Sequence, residues 1–163
     1  MWIARPIKLS NCSNRRQFIS RILAQQFAVK IVVAVFVASL FPDAGLADHG
    51  PVFQEPLLAA VLLIILAPWV ETLMFQTSMI EICRAWHRSR RTQLVAGSGP
   101  FAALHFLGGA ASGIAAGIVG GLYFTHTYLE CREQSWWTAT WITAVTHSLH
   151  NLIVFPVLFA SSA

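Results

Sequence analysis

Residues 141–151 read WITAVTHSLHN: two histidines and an asparagine inside an apolar run that extends from Trp136 to about Ala160. Strongly polar groups are costly in a hydrocarbon core and mark function when they occur there. The reading therefore turns on whether the surrounding chain belongs in a membrane. Of 163 residues, 56% are hydrophobic and 11% charged, with a mean hydropathy of +0.61. A soluble domain carries about 25% charged residues, so this chain belongs in a bilayer. The net charge of +4 does not point to nucleic acid, because the basic residues form two blocks beside apolar runs, as orientation signals of membrane proteins do.

Apolar segments cover about Ile22–Phe41, Pro56–Cys83, Thr92–Leu107, Ala110–Tyr128 and Trp136–Ala160. The third and fourth together would reach on the order of 55 Å through a core of about 30 Å, so Gly108 and Gly109 mark a turn. The expected fold is all-α, a polytopic membrane protein of about five transmembrane helices. A basic N-terminal segment, 1–21, precedes one helical membrane domain, 22–163. Lys30 interrupts the first segment and is expected to snorkel towards the headgroups. A rival reading takes residues 1–47 as a signal peptide.

Trp136 and Trp137 suit an interfacial belt. Arg5, Lys8, Arg15, Arg16 and Arg21 precede the first helix, and Arg84, Arg88, Arg90 and Arg91 separate the second from the third. Both sets are expected on the cytoplasmic side, and the intervening PDAGLADHGPVFQE, with Asp43, Asp48 and Glu55, outside. Cys12, Cys83 and Cys131 show neither metal-type nor disulfide-type spacing and are expected to be free thiols.

The polar groups deep in these spans share a depth. Glu71 lies 13 residues before Arg84, His105 lies 14 after Arg91, and His147 lies 12 after Ser135. At 1.5 Å per residue each is about 20 Å from the same surface. Asn151 follows His147 by one turn on the same face, as His105 follows Phe101. One site built from three helices fits the pattern, and two chemistries fit the site. Glu71 as general base would activate water for attack on a peptide carbonyl, with His147 and Asn151 donating to the oxyanion. In the other chemistry, His105 and His147 would bind Zn²⁺ with Glu71 as third ligand or base.

Other polar and small residues read as structural. His150 and His126 are taken as helix-packing residues outside the site, and His49 and His87 as loop or interface residues. Pro68, Pro100 and Pro156 flank the polar residues and would bend their helices. Gly109, Gly113, Gly117 and Gly121 recur every four residues, a stripe for close helix packing within the bundle or in a dimer.

The chain also resembles the CPBP family of intramembrane proteases, which includes the CAAX prenyl endopeptidases and Abi-type bacteriocin-processing or immunity proteins. Its marks are EExxxR, FxxxH and HxxxN or HxxxD on successive helices. Here they correspond to APWVETLMFQ (67–76), FAALH (101–105) and HSLHN (147–151), in order, across a core of about 56–155. The resemblance implies that Glu71 activates the attacking water, that His105, His147 and Asn151 surround the water or metal, and that Phe101 walls the cavity. Thr72 stands where a second glutamate is usual and Gln76 where an arginine is usual. The two replacements look mutually compensating, since a threonine needs no ion-pair partner.

The resulting expectation is an intramembrane endopeptidase acting on a membrane-associated peptide or protein, in a bacterial plasma membrane with a cytoplasmic N-terminus. The alternative is a catalytically silent relative that binds a membrane partner or confers immunity. A small transporter gains no support, because the chain shows no internal duplication.

Overall fold

The computed structural model describes residue 12 and residues 14–40 and 55–160. The expectations placed on Arg5, Lys8, Asp43, Asp48 and His49 lie outside the described residues.

Among the described residues the regular structure is helical, arranged as five rods. α1 is Arg15–Leu40, and α2 is the continuous Pro56–Ala85. α3 is Arg90–Phe106, α4 runs over 110–131, and α5 is Trp136–Ala160. Each start has a chemical reason. Pro56 opens α2 at a position where its missing N–H is not needed. Ser89 caps α3, its hydroxyl accepting from the Thr92 amide at 3.2 Å, and Ser135 does the same for Thr138 at 2.9 Å before α5. The α3–α4 turn depends on Gly109, whose φ of +96° suits a residue without Cβ.

Two of the rods, over Arg15–Val37 and Pro56–Ala85, are long and apolar enough to cross a membrane. Their outer faces expose Ile31, Val32, Val35, Phe36, Leu57 and Ile65, a surface suited to lipid contact.

The glycine stripe of α4 faces α3. A Cβ on Gly113 would lie 2.2 Å from Phe106 Cδ1, one on Gly117 2.9 Å from Ala102 Cα and from His105 Cβ, and one on Gly121 3.0 Å from Phe101 Cδ1. The close approach is therefore internal to the bundle. Gly109 belongs to the turn instead, with nothing near its absent Cβ.

The other end of the bundle is tied by polar contacts. Glu81 on α2 accepts from Arg132 at 2.6 and 2.9 Å and from the Tyr128 hydroxyl at 2.9 Å. Arg90 pairs with Glu130, and the Arg15 guanidinium lies 5.1 Å from the centre of the Trp141 ring.

The cysteine expectation is corrected here. Cys12 and Cys131 form a disulfide, and Cys83 alone of the three is free, and buried. The pair is 119 residues apart in sequence, so no local spacing could announce it. The bundle creates it by bringing the start of α1 beside the end of α4.

Two outcomes follow from this packing. Thiol labelling of the denatured, unreduced protein should modify one cysteine per chain, and three after reduction; three without reduction would contradict the disulfide. Gly117→Ala should push α3 and His105 away from α4 and lower stability by about 1–3 kcal/mol, the usual range for overpacking, read as a lowered thermal midpoint in detergent.

Candidate active site

The candidate site begins with a fault in α2. This rod alternates between α-helical and wider π-helical turns, the latter over Val61–Leu66 and Thr72–Ser78, and Glu71 ends the short α-helical piece between them. In the first π segment the Ala67 amide reaches back five residues to the Leu62 carbonyl. The next bond of that kind would join residue 68 to the Leu63 carbonyl, but residue 68 is proline and has no N–H. Asn151 fills the gap: its side-chain amide donates to the Leu63 carbonyl at 2.7 Å. In lipid a carbonyl cannot turn to water, so this bond fixes α5 against α2 beside Glu71.

Once α5 is so placed, His147, one turn before Asn151, presents Nε2 at 3.7 Å from Glu71 Oε2. His147 is almost fully buried, whereas the Glu71 side chain keeps 22% of its surface open. The imidazole has little freedom. Phe124 of α4 stacks on it with ring centres 4.0 Å apart, and Phe101 of α3 meets it edge-on at 5.7 Å. Phe101 also stacks on His105 at 4.4 Å, so a single buried ring stands between the two histidines. His105 Nδ1 donates to the Phe101 carbonyl at 2.9 Å. A carbonyl only accepts, so Nδ1 carries the proton and Nε2 keeps a lone pair.

The structure thus brings Glu71 and His147 together and sets His105 beside them through Phe101. Asn151 is turned towards α2, where it supports the backbone. Phe101 is buried as the cavity-wall reading required, but its contacts are with the imidazoles. Phe124 went unnoticed in the sequence, since a phenylalanine in an apolar helix carries no signal of its own. His150 was set aside and yet is buried: it stacks with Phe27 at 4.8 Å and its Nε2 meets Lys30 Nζ at 2.9 Å. Lys30 therefore turns into the bundle here, contrary to the snorkelling expectation. His126 is exposed.

Among the described residues no group of three or more His, Cys, Asp or Glu is gathered as metal ligands would be. Of the expected His₂Glu set, Glu71 and His147 face one another, and the Phe101 ring separates His147 from His105.

Thr72 and Gln76 are both fully buried. The Gln76 amide donates to the Gly97 carbonyl of α3 at 3.4 Å, while Thr72 Oγ1 and Gln76 Oε1 have no hydrogen-bond partner among the described residues. The two positions therefore face the bundle interior, where a lone charge would be costly.

A helical, membrane-type bundle with a carboxylate and an imidazole facing one another in its interior is the class that fold and site define. Within that class, a family model described as type II CAAX prenyl endopeptidase Rce1-like matches residues 53–153. The chain belongs to this membrane-embedded protease family. The matched segment contains Glu71, His105, His147 and Asn151 and leaves out α1. No curated protein and no solved structure matches the chain.

The interior placement of Thr72 and Gln76 makes a test of compensation possible. Thr72→Glu or Gln76→Arg alone should destabilise by about 3–5 kcal/mol, as unpaired buried charges do. The double variant should recover part of that loss, with a coupling of about 0.5–3 kcal/mol, measured by a double-mutant cycle of denaturation in detergent. Simple additivity would contradict the idea that the two replacements compensate.

Proposed function

We propose that this protein is an intramembrane endopeptidase in which Glu71 is the general base. The observation that carries the reading is the 3.7 Å approach of Glu71 Oε2 to His147 Nε2 inside the bundle. A water at ordinary hydrogen-bond distance from both atoms, ~2.8 Å, fits beside a pair spaced in this way.

Glu71 takes a proton from that water, and the hydroxide adds to the scissile carbonyl carbon. An N–H of His147 stabilises the resulting oxyanion. The C–N bond then breaks, Glu71 returns the proton to the leaving nitrogen, and the products are a carboxylic acid, which ionises to the carboxylate on losing its proton to solvent, and an amine. His105, held by its bond to the Phe101 carbonyl, keeps the second imidazole at the edge of this space. Asn151 acts as a positioning residue through Leu63, which keeps α5 and α2 in register around the water.

The five rods are read as five spans of a bacterial membrane, and the Cys12–Cys131 disulfide at their basic ends suits an oxidising compartment on that side rather than the reducing cytoplasm. The substrate is a membrane-associated peptide or protein, which reaches Glu71 from the side left open.

The test uses the purified chain in detergent with a library of membrane-associated peptides. Glu71→Gln should lower cleavage by about 10²–10⁴-fold, the range for loss of a general base, and His147→Ala by a comparable factor, with folding intact. The wild-type rate should fall as the medium is acidified, because a protonated carboxyl cannot accept the proton of water. Full turnover by Glu71→Gln would refute the assignment. Stoichiometric zinc in wild type that is lost in His147→Ala would replace the glutamate-base mechanism with a metal one. Absence of cleavage in wild type, with partner binding unchanged in both variants, would make the chain a silent binding relative.

A further inference from the structure

Lys30 lies in α1, outside the segment that matches the protease family. It stands four residues past Gln26, the middle residue of the apolar stretch Arg15–Val37, or roughly 6 Å beyond the centre at 1.5 Å per residue. Lipid headgroups do not reach that depth. Lys30 is half-buried, and its ammonium, which has three donors and no acceptor, meets His150 Nε2 at 2.9 Å. His150 Nε2 must accept, so Nδ1 bears the proton, and this buried N–H has no partner among the described residues. No carboxylate of the described residues lies within ion-pair distance of Lys30.

A second observation points to the same place. Gln26, one turn before Lys30 on the same helix face, is fully buried with both amide atoms unpartnered among the described residues. An ammonium and an imidazole N–H thus stand together in the bundle, with a buried amide one helical turn away, and none of the described carboxylates pairs with them.

The surroundings describe what is missing. Phe27 stacks on His150, and Phe124 meets it edge-on at 6.0 Å. A Cβ on Gly120 would lie 3.7 Å from both Lys30 Nζ and Phe101 Cε1 and 3.5 Å from Phe124 Cε2. The ammonium therefore shares a wall with the rings that hold His147 beside Glu71. One cation and two neutral hydrogen-bonding groups framed by aromatic rings suit a monoanion with apolar flanks. A dianionic phosphate calls for more charge, typically from arginine.

We infer that Lys30, with His150 and Gln26, forms a carboxylate-binding subsite that takes a carboxylate of the peptide held at Glu71 and His147. This rests on the proposed peptidase reading. The carboxylate has two sources: the free C-terminus of the peptide before cleavage, or the carboxylate released at the new end.

The test is binding, so that it can fail separately from catalysis. Affinities of a short hydrophobic peptide with a free C-terminal carboxylate and of its C-terminal amide are measured for the full-length wild type and Glu71→Gln in detergent. The acid should bind tighter than the amide, on the order of tenfold, in both proteins. Lys30→Met should abolish the preference and Lys30→Arg should keep it. Equal binding of acid and amide by wild type, or a preference that survives in Lys30→Met, would overturn the subsite.

A membrane-permeant carbodiimide supplies a readout that does not depend on the variants folding. It should couple the bound peptide carboxylate to Lys30 as an amide, visible by mass spectrometry, whereas coupling confined to Lys8 or the α-amino group would overturn the assignment. Coupling by intact substrate in Glu71→Gln identifies the C-terminal source. Coupling only by the fragment that ends at the cleavage point identifies the released one.

Discussion

The site depends on one hydrogen bond between helices. Pro68 leaves the Leu63 carbonyl without its donor, in surroundings where solvent cannot supply one, and Asn151 donates to it across the gap between α5 and α2. This ties the register of α5 to the break in α2. His147 precedes Asn151 by one turn and Glu71 follows Pro68 by three residues, so both facing side chains are anchored to the same joint. The π-helical turns on either side widen α2 where Glu71 projects, a feature that recurs at functional positions in helices.

The remaining packing holds the imidazoles against this joint. Gly117 and Gly121 bring α4 close to α3, so that Phe101 and Phe124 meet, with His147 against both rings and His105 stacked on Phe101. Ring stacking fixes orientation without using the nitrogens. His147 Nε2 is thus left to face Glu71, and Nδ1 makes no hydrogen bond among the described residues.

Much of this was legible in the sequence because lipid imposes simple rules. Apolar runs gave the rods and Gly109 the turn. Counting residues from the basic ends brought Glu71 and His147 to one depth, since rise per residue is nearly constant in a helix. What could not be read was lateral. Depth says nothing about which neighbour a side chain meets across a bundle, so Asn151 was assigned to the oxyanion when it serves a carbonyl of α2. Cys12 and Cys131 read as thiols in the sequence because their pairing exists only once α1 and α4 are adjacent. Lys30 did carry a signal, a charge in an apolar run. It was read as snorkelling because its partner, His150, lies 120 residues further along the chain.

The placement of charge gives the interior a direction. Among the described residues, Glu71 and Lys30 are the charged side chains near the middle of their helices, and they are not paired with one another. Each faces a different histidine of α5: Glu71 faces His147 and Lys30 faces His150. Residues three apart share a face of a helix, so one surface of α5 carries both contacts, with Phe124 against both rings. If stability alone had shaped this interior, a direct Glu–Lys pair would neutralise both charges at lower desolvation penalty than two separated ions. Keeping them apart leaves a carboxylate at one point and an ammonium at another, along a single helix face. That separation suits an extended chain that is hydrolysed at one position and gripped at another.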